Sequence, residues 1–159
     1  MNQHLKWIRP LAIIALIALF GIQFIPVASN SQGYESVRAF ERETQMSPEL
    51  TEVFQTNCYD CHSNQTQYPW YSKIAPVNFW LDEHVRDGKK HFNVSEWGQY
   101  SIKRKDHKLE ELIEEVQEQE MPLPSYTWIH GKLSPQDRQA LIDWAQMVRL
   151  SYQQVLPMK

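Results

Sequence analysis

From residue 47 onward, apolar positions recur at three- and four-residue spacing, and no stretch alternates as a strand would. Four helices are predicted. Ser47-Pro48-Glu49 combines a capping hydroxyl, a proline suited to the first helical position and an acid in the first turn. Leu50, Val53 and Phe54 follow on one face, which points next near Cys58. A second helix is predicted from Pro76 to Asp87, with Val77, Trp80, Leu81, His84 and Val85 on one stripe and Gly88 as its stop. The third runs from about Asp106 to Gln119. Leu109, Leu112, Ile113 and Val116 form its apolar face, opposite a solvated face of Glu110, Glu111, Glu114 and Glu115. Ser134-Pro135-Gln136-Asp137 opens the fourth, whose face is Leu141, Trp144, Ala145 and Val148. The fold class is all-α, a bundle of about four short helices. So few helices in roughly 110 residues bury a thin core, so a bound group is expected in the middle.

The start of the chain follows a different pattern. Lys6 and Arg9 precede the apolar run Leu11 to Phe20, which continues through Ile22, Phe24 and Ile25, and no acid occurs before Glu35. A basic start followed by an apolar run predicts a secretory signal or signal-anchor over residues 1–28. The positive charges stay cytoplasmic, which sends the remainder to the periplasmic side with residues 11–28 as the anchor. Val27-Ala28-Ser29 offers a weak cleavage site. The polar segment 29–46 reads as a tether that turns helical near Val37–Phe40, and 47–159 as the domain proper.

Charge narrows the partners. Beyond the N-terminal segment lie 14 of the 16 basic residues and all 19 acidic ones, a formal charge of −5. An acidic surface excludes nucleic acid, whose binding needs Lys and Arg against phosphates. It favours a redox partner protein that presents a basic patch.

Cys58-Tyr59-Asp60-Cys61-His62 carries the chemistry, and it contains both cysteines of the chain. In C-x-x-C-H the two thiols can each add to a vinyl group of one porphyrin, and the next residue brings an imidazole beneath the iron. The pattern predicts one covalently attached haem c, which requires haem-attachment machinery, with His62 as the proximal iron ligand. Three rivals read the pair differently. Exported chains use cysteine pairs as disulfides. A thioredoxin-like centre belongs with a βαβ pattern and has no use for the histidine. A zinc site needs four ligands, and there is no second pair or H-x-x-x-H to complete it.

A carrier of electrons fills both axial positions, and methionine opposite histidine raises the potential. Met121 in Met121-Pro122-Leu123-Pro124 fits the distal place, since the proline ends the helix and holds the preceding residue extended. A methionine can also simply fill a gap in a core. Met46, Met147 and Met158 lack such a loop. His84 is the alternative distal ligand, because it interrupts an apolar stripe; its plainer role is a core histidine bonded to backbone or to a propionate. His62 should donate its other ring N–H to a carbonyl from Tyr68–Tyr71 or Ala75-Pro76. Trp70, Trp80, Trp97, Trp128 and Trp144 are expected in the core or around the porphyrin.

A helix running into C-x-x-C-H, a later Met-Pro loop and a capped final helix together resemble a c-type cytochrome. The chain more closely resembles the bacterial haem-binding domain family through Cys58 to Asn64, Pro69-Trp70-Tyr71, Ser95-Glu96-Trp97 and Glu120 to Tyr126 in that order. The likeness covers about 47 to 150. It implies covalent haem and electron transfer; the leading expectation is a one-electron carrier and not an enzyme. The runner-up functions are a haem sensor or peroxidase-like module with an open distal site, and a haem-free thiol–disulfide protein.

Overall fold

Three serines start three of the long helices. Ser47 Oγ accepts the amide of Leu50, Ser101 Oγ that of Arg104 and Ser134 Oγ that of Asp137, each such cap contributing about 1 kcal/mol. The computed structural model describes residues 3–156, so Met158 lies outside it. The described residues hold no strand, only an isolated antiparallel bridge between Ser31 and Gln65. Eight α-helices are formed among them: α1 (Gln3–Ile22), α2 (Arg38–Glu43), α3 (Pro48–Asn57), α4 (Tyr59–His62), α5 (Val77–His91), α6 (Ile102–Gln117), α7 (Pro124–His130) and α8 (Pro135–Val155).

The all-α expectation holds, with more helices than the four predicted. The helix expected from Asp106 starts earlier, because the Ser101 cap precedes a polar first turn that periodicity does not mark. It ends by a different device from the proline. Gln119 takes a left-handed φ of +63°, and Glu120 N–H bonds the Glu115 carbonyl at 3.0 Å while Gln119 N–H bonds that of Val116 at 3.3 Å. These bonds form a Schellman ending, a place where glycine usually sits. Gln119→Gly removes the Cβ strain of that conformation and should stabilise the chain by about 0.5–1 kcal/mol. A thermal melt should show the midpoint rise by about 2–4 °C; an unchanged or lower midpoint contradicts this account.

The core is aromatic. Phe40 meets Phe54, Phe92, Trp97 and Trp144 edge-on, with ring centroids 4.9–6.1 Å apart. Such pairs contribute about 0.5–1.5 kcal/mol each beyond the area they bury. Leu109, Ile113 and Val116 of α6 join Leu141, Trp144, Ala145 and Val148 of α8 in the same core, as their spacing predicts. Arg149 reaches from α8 to Asp106 at 2.9 Å and Glu110 at 2.7 Å on α6.

Residues 29–46 do not behave as a loose tether. Val37 and Phe40 are fully buried, and Glu43 accepts from Lys105 Nζ at 2.7 Å and Tyr152 Oη at 2.8 Å. Asn30 Nδ2 donates to the Ser63 carbonyl at 2.8 Å and to Thr66 Oγ1 at 2.9 Å, and its own Oδ1 accepts from Lys89 at 2.6 Å. Two apolar residues among polar ones were too few to mark a core segment by composition.

Helix α1 exposes its apolar side chains all round from Leu11 to Phe20. No helix among the described residues is long and apolar enough to cross a membrane, which leaves the anchor expected over residues 11–28 without structural support.

Candidate functional site

Helix α4 is a single turn that holds the whole C-x-x-C-H element. Cys58 caps both α3 and α4, and its carbonyl accepts the amides of Cys61 at 3.2 Å and His62 at 2.9 Å. The turn therefore brings both cysteines and the histidine to one short surface. The cysteines are free thiols. Burial pushes Cys58 up to about 12, aided by the nearby Cys61, and pushes Cys61 up to about 11, aided by Asp60. Both are neutral near pH 7, as their burial among apolar neighbours dictates. No group of three or more His, Cys, Asp or Glu side chains able to hold a metal ion occurs among the described residues.

His62 is oriented by backbone. Its Nδ1 lies 2.9 Å from the Phe92 carbonyl oxygen. A carbonyl only accepts, so the proton is on Nδ1 and the lone pair on Nε2. Burial holds His62 below the usual histidine range, against the opposing pull of the carbonyls of Phe92 and Gly88. The imidazole is thus neutral and ligand-ready near pH 7. The acceptor is Phe92, not the expected Tyr68–Tyr71 or Ala75-Pro76. The reason is that α5 runs through Gly88 to His91, past the stop expected there, and delivers the Phe92 carbonyl to the ring.

Gly88 has another task. A Cβ built on it would lie 2.6 Å from the Cys61 carbonyl oxygen and 3.1 Å from Cys61 Cβ. Here α5 passes directly against the backbone of α4, and only a residue without a side chain permits that approach.

Cys58 and His62 line a cavity of about 490 Å³ together with Met121 and Pro122, within the range of small-molecule and cofactor pockets. Its apolar lining comes from Phe92, Leu112, Val116, Leu133 and Leu141. Met121 thus shares the cavity with the histidine, although the two lie far apart in the chain. Its loop is tied back to α4 through α7, where Tyr126 Oη donates to the Thr56 carbonyl at 2.7 Å and to Asp60 Oδ2 at 3.1 Å.

His84 is not among the lining residues. Its Nδ1 is 2.8 Å from the Trp80 carbonyl in its own helix, and its ring packs on the Trp80 indole at 4.3 Å. The stripe carrying it is only partly covered, and the ring is half-buried against its own helix. The tryptophans also divide against expectation. Trp97 and Trp144 are buried, Trp70, Trp80 and Trp128 are exposed, and none lines the cavity. Glu111, Glu114 and Glu115 border the cavity with Lys108, where a plain solvated face was expected. Lys108 pairs with Glu111. Periodicity separates apolar from polar positions but cannot say which polar ones flank an opening.

A family model described as a haem-binding domain matches residues 17–147. The chain belongs to that family. Haem binding is therefore the activity of the domain at its coarsest, and the matched span includes the packed segment 29–46. No curated protein and no solved structure matches the chain.

The residues of the haem-binding domain fit the group its family implies. The cavity has an apolar interior, a neutral imidazole fixed through Nδ1 with a free lone pair, the Cys58 thiol and a thioether from a second segment, and the Cys61 thiol stands in the same turn as Cys58. This donor set is soft and nitrogenous, which suits haem iron.

Proposed function

We propose that this haem-binding domain carries one covalently attached haem c and transfers single electrons, with His62 and Met121 as axial ligands. The observation that carries the reading is the convergence of Cys58, His62 and Met121 on one cavity with an apolar interior, with Cys61 in the same helical turn as the histidine. Bound haem supplies an iron that passes between the ferric and ferrous states. The chain's own residues do the rest. Cys58 and Cys61 hold the group as thioethers, so it is not lost with each change of charge. The Phe92 carbonyl fixes the His62 tautomer and ring plane. Phe92, Leu112, Val116, Leu133 and Leu141 exclude water, which limits the reorganisation that accompanies a charge change. Glu111, Glu114 and Glu115 at the border favour the more positive oxidised state and a basic redox partner. The protein works on the exported side of a bacterial inner membrane, after attachment by dedicated machinery. The basic start and apolar run of residues 1–28 support that location.

Met121→Ala in the haem-loaded chain tests the reading. The wild type should show low-spin bands and the weak red absorption of iron–methionine bonding, and should bind carbon monoxide slowly when reduced. The variant should lose the red band, turn high-spin and bind carbon monoxide rapidly. A wild type that is already high-spin, or a variant that is spectrally unchanged, removes Met121 and favours an open-site sensor or peroxidase-like module.

A further inference from the structure

The 19 acidic residues are not spread evenly along the chain. None occurs in residues 1–34, 61–81 or 121–136, and the last two stretches carry Lys73 and Lys132. The fold brings the three together. Gln23, just beyond α1, donates from Nε2 to the Ala75 carbonyl at 3.0 Å, and its Oε1 accepts the Ala75 amide at 3.0 Å. Tyr71 Oη lies 3.3 Å from His130 Nε2, joining the 3-10 turn Trp70–Lys73 to the end of α7. The foot of α1, the stretch around Trp70–Ala75 and the C-terminal end of α7 are thus one connected region.

That region exposes large apolar side chains that a protein otherwise keeps inside. Trp128 is 83% exposed, Trp70 77%, Ile129 64% and Ile74 44%. Phe24 and Ile25 continue the exposed apolar surface into α1. Exposed tryptophans beside Lys73 and Lys132, on stretches that themselves carry no acid and continue into an apolar helix, have the composition of a surface seated among lipid headgroups; the nearby Asp60 is engaged by Tyr126. A face meant for a soluble basic partner would carry the opposite charge.

We infer that Trp70, Ile74, Trp128 and Ile129 form a second membrane contact, seated in the headgroup layer of an anionic bilayer beside the foot of α1. The contact fixes the orientation of the domain, so the chain does not swing freely on its N-terminal segment. The inference rests on the reading of residues 11–28 as a membrane segment.

The full haem-loaded chain, reduced and labelled with 5-fluorotryptophan, is placed in nanodiscs of phosphatidylethanolamine and phosphatidylglycerol. Fluorine signals are assigned with Trp70→Phe and Trp128→Phe. A headgroup spin label on the lipid should broaden the Trp70 and Trp128 signals several-fold, while an aqueous gadolinium chelate leaves them nearly unchanged. Trp97 and Trp144, both buried, should respond to neither. Strong broadening of Trp70 and Trp128 by the chelate, with no response to the lipid label, overturns the contact and leaves a patch for a protein partner. Carbonate washing of vesicle-bound chain reports on residues 11–28 separately. If the chain washes off yet the lipid label still broadens both signals before the wash, the contact stands and the anchor reading fails.

Discussion

Replacing both thiols, Cys58→Ala with Cys61→Ala, should abolish every haem that stays with the chain after denaturation and acid–organic extraction. The reason lies in the geometry of one helical turn. The Cys58 carbonyl accepts the amides of both Cys61 and His62, so the two cysteines and the histidine share one turn, and Cys58 and His62 line the cavity. They have no disulfide to each other, and burial keeps both protonated near neutral pH. The wild type should retain about one haem per chain by pyridine haemochrome assay, and each single variant should retain a singly attached haem with a shifted band. The double variant should retain none covalently. His62 and the apolar lining remain in it, so loosely bound haem that is removed by extraction does not contradict the result. Covalent haem surviving in the double variant would show that attachment uses other residues. Free thiols that titrate fully in the wild type after co-production with attachment machinery would leave a haem-free dithiol protein.

The second large effect is expected at Gly88, which touches no cofactor. Gly88→Ala places a Cβ 2.6 Å from the Cys61 carbonyl oxygen, a backbone atom that cannot rotate away. Either α4 and α5 part or the attachment turn tilts. Overpacking of this kind costs about 1–3 kcal/mol, set against the gain of about 1 kcal/mol that alanine brings to a helix interior. The net expectation is a loss of about 1–2 kcal/mol of stability in a denaturant melt, together with fewer haems attached per chain. The displaced turn also lengthens the His62–Phe92 hydrogen bond, since Phe92 follows directly on α5. Gly98→Ala is the control. Nothing lies within 4 Å of its added Cβ, so its effect should stay within about 0.5 kcal/mol. Equal behaviour of the two variants would mean that the close approach of α4 and α5 has no energetic consequence.

Much of this molecule is legible in short stretches of the chain. The Ser-Pro starts at Ser47 and Ser134 act within one turn, so they appear in sequence as they act in the fold. The apolar faces of α6 and α8 recur at helical spacing, and those same residues are buried. The C-x-x-C-H turn is equally local, because five successive residues carry its geometry. Met121 was legible as a candidate through the proline after it, although the helix before it ends by a Schellman turn at Gln119.

What only the tertiary structure decided depends on pairings across long separations. The acceptor for His62 is a backbone carbonyl 30 residues away, and any residue type could have supplied it. Gly88 looked like a helix stop because glycine often ends helices; its packing against Cys61 is a contact between elements that no periodicity encodes. Val37 and Phe40 belong to the core despite a polar neighbourhood, since burial depends on what the folded chain lays against them. His84 and the exposed tryptophans moved the other way, because a stripe records which side chains are apolar and not whether anything covers them. Local rules of turn and period set the elements and the C-x-x-C-H turn, while packing between distant segments set the cavity, its oriented histidine and the surface left uncovered.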